Sequence, residues 1–323
     1  MSKTWDKAKK AMKDPDVAKS FGNDITKFVI LILRIAIIVG VAYVIISPVI
    51  GIFVNSISSN KDCYNPMVFI LPQFPTTERY SLAMERLNYW PTLGRDLLYT
   101  VTLTLIQLFV CSMVGYGFAR FEFPLKKLLF GLVVVMIVIP SHTIMLPVYM
   151  TFMSFDPFGI VTDISGTPGI MGTVWPMYIM TFFGCGLRSG LFIYIFNQFF
   201  RGLPKEIEEA ALVDGCGTWY TYFNIMLRNA MPAVITVTVF SIVWQFNDIF
   251  YANLFLVSDD IVISKKVASL QLTIANQDKI LDKAIQELYL DAGIMLIILP
   301  VVIIYIALQK YFIEGVERSG IVG

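Results

Sequence analysis

The chain has 323 residues, of which 56% are hydrophobic and only 15% charged, and its formal net charge is +1. A mean hydropathy of +0.69 is far from that of a soluble domain and places the chain in the membrane class. The near-neutral charge gives no basic footprint for nucleic acid. Four scattered cysteines (Cys63, Cys111, Cys185, Cys216) and a single histidine, His142, form no metal or disulfide pattern.

The first 27 residues are polar and lysine-rich. The apolar run after them is too long for a secretory signal and has no small-residue cleavage site, so they are read as a retained cytoplasmic arm. A spanning helix needs about 20 mostly apolar residues, because backbone groups in lipid must bond within the segment. Six stretches qualify: Lys27–Val54, Leu97–Ala119, Lys127–Phe152, Thr173–Phe200, Pro232–Val257 and Ala292–Leu308. The third carries Pro140 and Pro147 and is expected to kink, with His142 satisfying a carbonyl freed there. The last is short and is expected to extend beyond these limits. This pattern predicts an all-α membrane protein of about six transmembrane helices.

Six spans put both termini on one side. With the N-terminus inside, the inner segments hold 15 basic residues and the outer loops 8, which predicts that both ends are cytoplasmic. The stretch between the fourth and fifth spans then also faces the cytoplasm. Within it, "LPKEIEEAALVDG" reads as a short amphipathic helix. Pro204 suits a first helical position, Glu206, Glu208 and Glu209 fall where the dipole favours negative charge, and Gly215 can end the helix in a left-handed conformation. A second helix is expected from Thr218 towards Pro232. On spacing alone this helix-turn-helix is either a knob for a protein partner or an amphipathic loop in the lipid headgroups.

Ionisable residues inside spans are costly and are usually paired or functional. Arg34 lies near the inner end of the first span, where it can snorkel. Arg188 lies near mid-depth within "GCGLRSG", and Asp248 lies further outward in the fifth span. The two are read either as an ion pair locking two helices or, with Asn247 and Trp244, as a polar lining of a substrate path. Tyr178, Tyr194 and Phe246 are further aromatic candidates there, although most such rings are core or lipid contacts.

The run Glu209-Ala210-Ala211, then Asp214-Gly215, then Ile225 and Leu227, resembles the EAA coupling-loop signature of ABC importer permeases. It departs from the family at Arg228, where proline is usual, and at Cys216, where alanine is common. The likeness extends through "VGYGFARFEFP" (114–124), "IPSHTIMLPVY" (139–149) and "WQFNDIFYANLFL" (244–256). The ending "LQKYFIEGV" (308–316) is similar to that of the carbohydrate, maltose-type members.

The resemblance implies a type I importer permease fold in a prokaryotic inner membrane. It implies a cytoplasmic arm (1–27), a transmembrane permease domain (28–310) with its coupling loop at about 203–231, and a cytoplasmic tail (311–323). Glu209, Ala210, Ala211, Asp214 and Gly215 would dock on an ATPase. No phosphate-binding loop ending in Gly-Lys-Ser/Thr occurs in the sequence. The chain is therefore expected to be no enzyme itself and to bind no cofactor directly, with ATP and Mg held by partner ATP-binding cassette subunits. A second homologous permease, an extracytoplasmic solute-binding protein meeting the outer loops around 55–95, and membrane lipid complete the implied partners. The implied cargo is a sugar or oligosaccharide. The alternatives are an importer of the same fold for a non-sugar solute, a secondary transporter or channel working without an ATPase, and, weakest, an intramembrane enzyme. No convincing internal repeat and no nucleophile–base pair supports the last two.

Overall fold

The computed structural model describes residues 15–65, 71–166, 168–256 and 260–320. The beginning of the arm (1–14) and the end of the tail (321–323) lie outside the described residues. The chain is mostly helical, with no strand among the described residues, and divides into two compact units, Met1–Thr76 and Thr77–Gly323.

In the first unit, α1 (Pro15–Ile57) is one unbroken helix, longer at both ends than the expected first span. Its most apolar window has a mean hydropathy of 3.0, and none of that window is buried. A helix that is apolar all round and uncovered needs lipid or another chain around it. Beyond it, Ser59 caps α2 (Asn60–Cys63) in a reciprocal box with Asp62. The buried Asp62 carboxylate also accepts the Phe74 N–H at 2.9 Å, and the Thr76 N–H returns to the Ile57 carbonyl at 2.7 Å.

The second unit opens with α3 (Glu78–Leu87) and α4 (Tyr89–Arg120), separated only by Asn88 in a left-handed conformation. The α4 helix is the axis of this unit. Three apolar clusters are arranged along it, drawing in turn on Tyr89 and Leu93, on Tyr99 and Leu103, and on Cys111 and Tyr116. After it come α5 (Lys126–Val138), α6 (Met145–Met153), α7 (Ile160–Ser165), α8 (Trp175–Phe182) and α9 (Ser189–Gly202). The stretch between the fourth and fifth expected spans gives α10 (Glu206–Val213) and α11 (Thr218–Asn229), the latter with a π turn at Thr221–Met226. Then follow α12 (Met231–Phe246), α13 (Phe250–Phe255), α14 (Ile263–Ala268), α15 (Leu270–Gln277) and α16 (Lys283–Gly320). As expected, the last span extends well beyond Ala292–Leu308.

The reading of the middle spans as single apolar runs needs correction, because three of the six are broken. Pro140 ends α5: it brings no N–H, and the residue before it, Ile139, is extended. His142 does not bond a carbonyl there but packs on Phe250, with ring centroids 4.3 Å apart. The fourth span is broken between α8 and α9, where Arg188 takes a left-handed φ of 59°. The fifth breaks at Asn247 and Asp248, whose side chains bond local backbone: Asn247 Nδ2 donates to the Val243 carbonyl at 2.8 Å, and Asp248 Oδ1 accepts the Tyr251 N–H at 3.3 Å. Four described helices are therefore long and apolar enough to cross a membrane. A fifth is added if α11 and α12, bent by 77°, are counted together.

Towards the α3 end, α14 and α15 are pinned to the rest of the unit. The fully buried Asp96 carboxylate accepts the Ile263 N–H at 2.9 Å, and Lys266 donates to the Leu87 carbonyl at 3.0 Å. Arg86 grips Asp278, with Nη2 2.6 Å from Oδ1, and that bond holds the Asp278 carboxyl below the usual carboxylate range.

The α4 and α9 helices pack in parallel and are tied at three levels. Gln107 Nε2 donates to Ser189 Oγ at 3.0 Å and to the Leu187 carbonyl at 2.6 Å. Asn197 Nδ2 donates to the Gly115 carbonyl at 3.3 Å, and Arg120 Nη2 to the Leu203 carbonyl at 2.9 Å. At the middle tie a Cβ on Gly115 would sit 2.6 Å from that of Phe196, so only glycine allows this approach.

Candidate functional site

The stretch 203–231 forms the helix-turn-helix that its pattern predicts. The α10 helix begins just after Lys205, two residues later than Pro204 would start it. It ends in a Schellman turn: Gly215 has φ 82°, its N–H bonds the Leu212 carbonyl (3.1 Å), and the Cys216 N–H bonds that of Ala211 (2.9 Å). Adjacent glutamates face opposite ways. Glu209 is exposed, as are Ala210, Leu212, Val213, Asp214 and Gly215. Ala211 is buried at 4% exposure, on the inward side with Ile207 and Glu208. Of the five candidate coupling residues, four therefore present an outer surface and Ala211 seats the helix. Leu212, Val213 (87% exposed), Trp219 and Tyr220 make that surface strongly apolar, as surfaces that meet a protein partner or the membrane interface are.

Sequence reasoning missed the inward partner. Glu208 accepts a hydrogen bond from the Tyr116 hydroxyl at 2.5 Å, and its other oxygen lies 3.3 Å from Nε of Arg120, whose side chain is 4% exposed. Arg120 also holds Leu203, at the base of the loop. Three side chains thus lock α10 to the end of α4. The available signal was Tyr116 and Arg120 at i and i+4, on one face of a span end.

The second constellation gathers at two helix breaks. Arg188 sits at the break before α9, is exposed, and lies with its guanidinium carbon 5.5 Å from the centre of the Trp244 ring. Trp244 is stacked with Phe192 and Phe240, at 5.6 and 5.3 Å between centroids. The ion-pair reading of Arg188 and Asp248 is overturned, because no salt bridge joins them. Asp248 is instead engaged by the backbone that opens α13, and the arginine charge rests on a π face. Phe246 is fully buried and belongs to the core.

Behind this break, the buried Gln107 joins three helices. Besides its bonds at Leu187 and Ser189, its Oε1 accepts from Ser241 Oγ at 2.8 Å, which leaves Ser241 to accept from the Thr104 hydroxyl at 3.0 Å. The residue next to Arg188 is therefore anchored to both α4 and α12. That anchoring fixes where the Arg188 guanidinium stands.

This helical bundle with broken spans has a counterpart among solved structures. The crystal structure of a bacterial ABC transporter involved in the import of the acidic polysaccharide alginate matches with a TM-score of 0.68 at 20% identity, covering 89% of this chain and 98% of that one. The melibiose/raffinose/stachyose import permease protein MelC of Bacillus subtilis is 28% identical over 304 residues, 92% of this chain and 98% of that protein. The arabinooligosaccharides transport system permease protein AraQ of Halalkalibacterium halodurans is 23% identical over 287 residues, 88% and 93% of the two chains. Residues 111–318 match the family of binding-protein-dependent transport system inner membrane components. The chain belongs to that family: it is a multi-pass inner-membrane permease subunit of an ABC importer, working with an ATPase and a binding protein.

Proposed function

We propose that this subunit imports a sugar or oligosaccharide by alternating access, with both termini in the cytoplasm and α10 as the point where ATP-driven motion enters the chain. The observation that carries the reading is the division of α10. Its outer side is exposed and apolar around Glu209 and Asp214, and its inner side is pinned by Glu208 to Arg120 at the end of α4. A push on the outer side is delivered to a membrane helix. ATP and Mg would reside on the separate ATPase subunits, a second homologous permease would complete the passage, and the solute-binding protein would meet the outer loops around 55–95. The carbohydrate cargo named for MelC and AraQ supports the substrate class. Arg188 over Trp244, with Asn247 and Asp248 nearby, supplies a cation, a ring face and polar groups suited to hydroxylated solutes.

The test is to purify the tagged chain gently from its native membrane and identify what accompanies it. An ATPase and a second, similar permease, with ATP-dependent sugar uptake after reconstitution, are the expected result. A chain that emerges alone and moves solute without ATP overturns the reading in favour of a secondary transporter. Within the passage, Arg188→Ala should leave assembly intact and lower transport efficiency about tenfold or more, the worth of one charged hydrogen bond. Loss of the assembled complex would mean that Arg188 is a structural lock instead.

A further inference from the structure

The α4–α5 loop, the last turn of α9 and the residue before α10 enclose an open cavity of about 900 Å³. Arg120, Lys126, Lys127, Arg201 and Lys205 line it, opposed by one carboxylate, Glu122. Two of these cations are already matched. Lys126 holds Glu122 at 2.9 Å, keeping that carboxyl below its usual range, and Arg120 is paired with Glu208. Lys127, Arg201 and Lys205 are exposed and make no ion pair among the described residues.

Two further features mark this cavity. Asn197 lines it at 2% exposure, and its buried Oδ1 has no donor. Lys126 and Lys127 occupy the first turn of α5, where free N–H groups and the helix dipole are already positive and where no side chain caps the helix. From the cavity, an uncovered apolar stripe continues along α5 through Leu128, Leu132 and Val135, which are 60%, 53% and 45% exposed.

We propose that this cavity seats the phosphodiester headgroup of an anionic phospholipid, with its acyl chains lying along α5. The phosphate answers the three unmatched cations. Basic pockets between membrane helices at the positively charged side bind such headgroups by this chemistry. A soluble phosphate ester shares the anion but has nothing to cover the stripe. Lys205 immediately precedes α10, so an occupied cavity also steadies the start of the coupling helix. The proposal rests on the topology given above only for its choice of the cytoplasmic leaflet.

The test uses the assembled importer in nanodiscs of phosphatidylcholine with phosphatidylglycerol titrated in. Native mass spectrometry should find phosphatidylglycerol retained in preference to phosphatidylcholine. A photoactivatable phosphatidylglycerol should label peptides spanning 118–130 and 197–205 of the unmodified complex. The K127Q/R201Q/K205Q variant should retain about tenfold less or lower still, each surface cation contributing severalfold, whereas K127R/R201K/K205R should retain it normally. Equal retention by wild type and the glutamine variant, or no label in those peptides, overturns the proposal. Displacement of the label by millimolar glycerol phosphate also overturns it, by assigning the cavity to a soluble anion. So does crosslinking of the cavity to an acidic segment of the ATPase. These readouts do not involve transport, so they can fail without the proposed function failing.

Discussion

Glu209→Lys is expected to leave the permease folded and to remove substrate-stimulated ATP hydrolysis by the assembled importer. Nothing within the chain depends on this side chain: it is exposed and forms no hydrogen bond or ion pair among the described residues. Any partner that closes over Ala210, Leu212 and Val213 must also enclose residue 209. A reversed charge enclosed there, against groups arranged for a carboxylate, costs several kcal/mol. Stimulated hydrolysis in proteoliposomes should fall at least about tenfold, and the ATPase should be lost in part during purification. Normal stimulation in the reconstituted variant would show that α10 is not the input point.

Glu208→Ala is expected to do different damage. It strands the Arg120 charge, whose side chain is 4% exposed, and leaves the Tyr116 hydroxyl without its acceptor. Breaking a buried pair from one side costs about 3–5 kcal/mol, while replacing both partners with apolar residues of similar size is far milder. Thermal unfolding of the purified complex should therefore drop sharply in Glu208→Ala and recover in an R120M/E208M double variant. Equal losses in the single and double variants would show that packing around α10, rather than the pair, holds the helix.

The contrast between these two residues marks where the sequence stops being informative. The charge pattern and Gly215 locate the helix and its end, and the resemblance to importer permeases supplies its role. Neighbouring glutamates on an eight-residue helix are chemically alike, however. Which of them turns inward depends on Tyr116 and Arg120, about 90 residues earlier in the chain (the Tyr116–Glu208 separation is 92). The membrane class and the six apolar stretches are plain from composition and run length. Their breaks are not, because hydropathy averages over a window and is blind to one arginine in a left-handed conformation or to side chains bonding their own backbone. Pro140 is the exception, since its chemistry announces the interruption. The expected Arg188–Asp248 pair failed for a related reason: depth along two spans says nothing about direction, and both breaks turn these side chains to other tasks.

The three ties between α4 and α9 have one more consequence. The hydrogen-bonded residues are 82, 82 and 83 positions apart from the first tie to the last, so the two helices are held in a single register along their shared length. A slip of one turn would break every tie at once and push a side chain into the space that Gly115 leaves for Phe196. The pair therefore behaves as one beam, and Glu208 grips its end. In any rearrangement of the bundle the pair is expected to move as a rigid body, with the adjustment falling outside it, at the short breaks around Arg188 and Asp248.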